Sequence, residues 1–162
     1  MKKHHTKKLE EFTKKELNNL AHNLVVSEGN CYFLFGRYEL QKLDHEVIVI
    51  KNDDTIGTFG NTKTAVAWCI ADKYNKVNLA IQIKQLDQER TRYINDITVK
   101  RALAARSKDY TFKETMSVKL ATQQIQYQSV DTELSKCVNL AKYWQYRGFN
   151  NETQRISSSA TY

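Results

Sequence analysis

Apolar residues recur along the second half of this chain at alternating steps of four and three. Met116, Leu120, Gln123, Tyr127, Val130, Leu134, Cys137, Ala141 and Trp144 form one series; Leu79, Ile83, Leu86, Arg90, Tyr93 and Ile97 form another. Each series puts an apolar stripe on one side of a helix, which water penalises until a partner covers it. With only Ser107-Lys108-Asp109-Tyr110 between them, two such helices predict an antiparallel hairpin. Thr111-Phe112-Lys113-Glu114 fits a capping box that starts the second arm, and Gly148 is its expected stop. The arms then run over 77–106 and 112–146, about 45 to 50 Å each at the rise of an α-helix.

The first half has a different pattern. Leu9, Phe12, Leu17, Leu20 and Leu24 mark one face of a helix ending near Ser27, before Gly29. The aromatic run from Cys31 to Leu40, the β-branched run Val47-Ile48-Val49-Ile50, and Thr55 to Phe59 after the turn Asn52-Asp53-Asp54 predict a three-stranded antiparallel meander. Asn61 or Thr62 can cap the next helix. Its sequence, Lys63 to Ala71, is apolar nearly all round, and Trp68 is the expected centre of the core. Near Tyr74-Asn75-Lys76 the apolar register changes, so the chain bends or starts a new helix there.

These elements define an α+β chain: N-terminal helix, three-stranded meander, buried helix and long antiparallel, coiled-coil-like helical hairpin. The expected units are a small helix-meander-helix domain over 1–75, the hairpin over 76–147 packed on it and projecting from it, and a flexible tail over 148–162. A hairpin longer than the sheet beneath it offers its seam to other copies or other chains. The candidate self-association or docking seam is Leu79, Ile83, Leu86, Arg90, Tyr93, Ile97, Leu120, Gln123, Tyr127, Val130 and Leu134. Arg90 and Gln123 interrupt it. Polar residues at such positions select register or oligomeric state, or else carry their ends out to solvent.

Composition narrows the class. Hydrophobic residues at 41% and charged ones at 27% are ordinary for a folded chain, and the absence of proline leaves long helices unbroken. No apolar run reaches the roughly 18 residues of a membrane span, and the basic start is not followed by the apolar segment of a secretory signal. The expected location is inside a cell or in a particle assembled there. Cys31, Cys69 and Cys137 are far apart and set in apolar pattern, as reduced buried thiols are.

The net charge of +7 is not spread evenly. Residues 1–61 are neutral overall, whereas 76–107 sum to +4 and 108–147 to +2. Lys84, Arg92, Lys100, Arg101 and Arg106 could therefore form a nucleic-acid face on the first arm, with Tyr32, Phe33, Phe35 and Tyr38 as base-stacking groups if the sheet were open. Against that reading, the sheet segment is charge-neutral and its aromatics have the pattern of core.

No pattern for chemistry emerges. The three cysteines and four histidines lack metal-ligand spacing, the five glycines form no phosphate-binding loop, and no nucleophile elbow is present. No cofactor and no enzymatic activity are expected. The runs from Lys63 to Tyr74 and from Cys137 to Thr153 resemble small proteins of contractile-tailed marine bacteriophages of the cyanophage kind. That resemblance carries no activity and implies a structural or accessory virion component. The sequence thus points to a noncatalytic interaction and assembly protein, with nucleic-acid binding by the basic hairpin face as the alternative.

Overall fold

The computed structural model describes residue 13 and residues 26–28 and 30–159, the last eleven and the first strand by backbone alone. It is an α+β fold whose sheet is larger than expected. Five strands, β1 (Val26–Glu28), β2 (Cys31–Leu34), β3 (Tyr38–Lys42), β4 (Val47–Lys51) and β5 (Asp54–Phe59), pair antiparallel in chain order. Two features account for the extra strands. Ser27, placed by periodicity at a helix end, pairs with Tyr32 in β1; the rest of that expected helix, apart from Thr13, lies outside the described residues. The run from Cys31 to Leu40 is broken by a left-handed turn at Phe35 (φ 55°) and Gly36 (φ 67°), closed by the Arg37 amide donating to the Leu34 carbonyl at 3.2 Å. Positive φ at a phenylalanine is uncommon enough that the sequence gives little sign of it.

Strand pairing fixes which side chains meet. Tyr32, Leu40, Val49 and Gly57 lie in one cross-strand row, and alternation brings Leu34, Tyr38, Leu40, Val47, Val49 and Phe59 to a buried face. A bulge between Val49 and Ile50 leaves Ile56 as the extra residue of β5.

Helix α1 (Thr62–Lys73) covers that face. Asn61 caps it, its side-chain oxygen accepting from the Thr64 amide at 2.9 Å. Every residue from Thr64 to Ala71 is buried, because the sheet lies on one side of α1 and the hairpin on the other. Trp68 packs against Tyr38 and Phe59, with ring centroids 6.4 and 6.1 Å away. Those two rings are almost fully enclosed, whereas Trp68 keeps 8% of its surface. The core therefore centres on the sheet side of Trp68.

After a turn with Asn75 at φ 58°, α2 (Val77–Arg106) and α3 (Tyr110–Ser159) form the hairpin. Two boundaries of α3 differ from expectation. Its start is capped by Asp109, whose carboxylate accepts from the Thr111 and Phe112 amides at 3.0 and 3.4 Å; Thr111 is inside the helix, and the expected capping box does not form. At the other end Gly148 does not stop the helix, which continues to Ser159 through the expected flexible tail. Gly148 serves packing instead, since a Cβ there would come within 2.2 Å of the Tyr74 ring. One cluster of buried side chains runs from Leu34 on the sheet through α1 to Ala141, across the expected boundary at residue 75.

Candidate interaction surface

The seam proposed for docking is mostly consumed within the chain. Leu79, Ile83, Ile97 and Leu134 are buried, together with Met116, Cys137 and Ala141. Leu86, Arg90, Tyr93, Leu120, Gln123, Tyr127 and Val130 are half-buried. The proximal part of this seam, Leu79, Ile83, Leu134, Cys137 and Ala141, belongs to the same core as the sheet.

The polar groups in the seam are structural. Arg90 spans the two arms, its Nε 2.9 Å from Asp131 Oδ1 and its guanidinium 5.7 Å from the centre of the Tyr127 ring. One turn earlier, Asp87 is 2% exposed and accepts the Gly60 amide through both oxygens, at 3.1 and 3.2 Å. Burial pushes the Asp87 carboxyl above the usual aspartate range, against the opposing pull of that amide and the Arg90 charge. Gly60 permits this approach; a Cβ there would already sit 3.4 Å from Asp87 Oδ1. Gln123 is different. Its Oε1 is enclosed with no hydrogen-bond partner among the described residues.

The five cations proposed for nucleic acid do not share a face. Lys84 donates to the Ile56 carbonyl at the sheet bulge, 3.2 Å away, which ties its charge to the domain. At roughly 100° per residue Arg92 and Arg101 point to opposite sides of α2; Arg106 is exposed and Lys100 half-buried. Of the proposed stacking aromatics, Tyr38 is enclosed and Tyr32 and Phe35 pack against the core, leaving Phe33 as the exposed one, at 37%.

Two clusters were not anticipated from sequence, because they join residues far apart in the chain. Asp72 on α1 receives the Tyr38 hydroxyl and pairs with Lys51 Nζ at 2.8 Å, fastening α1 to β3 and β4. Burial pulls the Asp72 carboxyl upward, but these two donors and the charges of Lys51 and Arg37 outweigh it and hold the group below its ordinary value. At the α1–α2 junction, Lys76 Nζ lies 3.8 Å from the centre of the Trp144 ring and Arg147 approaches the same ring at 5.3 Å. These cation–π contacts pin the start of α2 to the middle of α3. Both clusters hold elements together.

Outside the seam, the hairpin exposes several large apolar side chains. Val77, Ile81, Val99 and Leu103 are exposed on α2, and Tyr110, Val118 and Ile125 on α3, the last two at 69% and 70%. A shallow groove of about 390 Å³ runs between the arms, lined by Ile94, Ile97, Thr98, Arg101, Gln124, Tyr127 and Gln128. Among the described residues no group of three potential metal ligands occurs, and no helix is long and apolar enough to cross a membrane. Comparison with known proteins finds no matching family model, curated protein or solved structure.

Proposed function

We propose that this chain is a noncatalytic assembly protein that associates through the outer surface of its hairpin. One observation carries the reading. Among the described residues eleven large apolar side chains stand exposed; nine lie on the hairpin, and the other two are Phe33 in β2 and Leu43 just after β3. Exposed apolar groups concentrated on one element mark an interaction surface more often than a catalytic one. The inner seam supports it from the other side: it already closes the hairpin, so the outer groups are not needed for folding the chain on itself.

Sedimentation velocity of the full chain over a range of concentrations tests this. The expected result is a species heavier than the 18.9 kDa chain. It disappears when Val99, Leu103, Val118 and Ile125 are together changed to Glu, and persists when Leu43→Glu alters the sheet instead. A chain that stays monomeric at every concentration, or one that associates equally well as the fourfold variant, contradicts the proposal.

A further inference from the structure

We infer that further copies of this chain pack in parallel along the outer face of α3, on the stripe Thr115, Val118, Thr122, Ile125, Ser129 and Thr132. This rests on the proposed assembly function and names its surface and partner. The six residues follow one another at steps of three and four, the spacing of a coiled-coil seam, and all are exposed on the side of α3 opposite the one that meets α2. Thr115, Thr122 and Ser129 occupy the a positions; Val118, Ile125 and Thr132 occupy the d positions.

The threonines are prepared for burial. Thr115, Thr122 and Thr132 each donate the hydroxyl to the carbonyl four residues earlier, at 3.0, 3.2 and 2.8 Å. That bond satisfies the only donor on each of these three side chains, so covering them strands no threonine hydroxyl proton. The stripe also has ends. One heptad before Thr115 and one after Ser129, the a positions are Lys108 and Lys136, whose charges oppose extension of an apolar seam.

Flanking charges select the partner and its direction. In a parallel arrangement Glu114 at g faces Lys119 at e of the neighbouring copy, and the symmetry repeats that pair at every interface. In an antiparallel arrangement Glu114 faces Ser135, Lys119 faces Gln126 and Glu133 faces Phe112, so no opposite charges meet. The stripe is thus complementary to itself in one orientation. Because β-branched residues occupy d as well as a, three strands fit better than two.

The test uses the full chain. Sedimentation equilibrium is expected to give the mass of three chains, and Ile125→Glu to return it to one chain that still unfolds cooperatively, as expected for a residue 70% exposed in the single chain, with a melt that no longer depends on protein concentration. Thr115→Cys in a Cys31→Ser background is expected to cross-link to itself on oxidation, which an antiparallel pair would not do. Retained association in Ile125→Glu combined with loss in Val99→Glu/Leu103→Glu overturns the stripe and leaves the assembly function standing. A monomeric wild-type chain overturns both. Cross-linking only when Thr115→Cys is mixed with Thr132→Cys overturns the parallel orientation, and a two-chain mass overturns the strand number.

Discussion

Arg90 on the first hairpin arm places its Nε 2.9 Å from Asp131 Oδ1 on the second, while its neighbour Asp87 holds the Gly60 amide. A single turn of α2 therefore locks the hairpin register on one side and the end of β5 on the other. The Arg90–Asp131 pair is partly open to water, with the Asp131 side chain 47% exposed. A double-mutant cycle with Arg90→Ala and Asp131→Ala is expected to give a favourable coupling below about 1 kcal/mol. Zero coupling in urea unfolding would remove its role in register.

Asp87 and Asp72 contribute oppositely to acid stability. The folded pKa of Asp87 lies above the ordinary 3.8. Between 3.8 and that raised value the folded chain holds a proton the unfolded chain has released, so the Asp87 contribution to stability falls as pH rises through this window. Asp72 has a folded pKa below 3.8; its stabilisation is present above 3.8 and is lost as pH falls through the folded value. Urea midpoints measured across the acid range should lose the first slope in Asp87→Asn and the second in Asp72→Asn. Unchanged slopes would contradict both assignments.

Leu134 is 3% exposed within the shared core. Leu134→Asp removes its packing and buries a carboxylate, with an expected loss of more than about 3 kcal/mol. A variant whose chemical denaturation matches the wild type would mean that the seam is not closed as described.

Gln123 offers the opposite sign. An enclosed amide oxygen without a partner carries a desolvation penalty of about 1 to 3 kcal/mol, so Gln123→Leu is expected to raise the melting temperature. A lowered one would indicate that the amide is satisfied in solution.

Gly148 gives a prediction that changes sign with its neighbour. Alanine is ordinarily favoured over glycine within a helix by about 1 kcal/mol, yet its Cβ would lie 2.2 Å from the Tyr74 ring. Gly148→Ala should destabilise the wild type and stabilise the Tyr74→Ala variant, as read by thermal melts of all four chains. The same sign in both backgrounds would remove the packing explanation.

Much of the hairpin was legible in the sequence because heptad spacing is a local pattern that survives whatever packs on it. Leu79, Ile83, Ile97 and Leu134 are inside for the reason their spacing gives. The sheet was read less well. Phe35 and Gly36 turn the chain with two left-handed residues, but Phe-Gly lacks the Asn-Gly signature of such turns, so two strands read as one. Gly148 misled because a glycine near a helix end ordinarily signals a stop, and only the distant Tyr74 explains its place within the helix. Asp109 displaced Thr111 as the cap because an aspartate directly before Tyr110 reaches the first free amides. The seam read from the sequence as a docking surface lies largely on the closed inner side of the hairpin, since periodicity identifies an apolar stripe and not what covers it. The outer stripe of α3 was hidden by its threonines, which read as polar until their hydroxyls are seen to bond to their own helix.

The most direct measurement is hydrogen exchange of the hairpin amides over 79–97 and 116–141 in samples spanning a wide range of protein concentration. A seam closed within one chain keeps the same protection throughout. Protection in those segments that collapses on dilution would mean that another copy closes the seam, and would contradict the division between an inner face that folds the chain and an outer face that joins it to others.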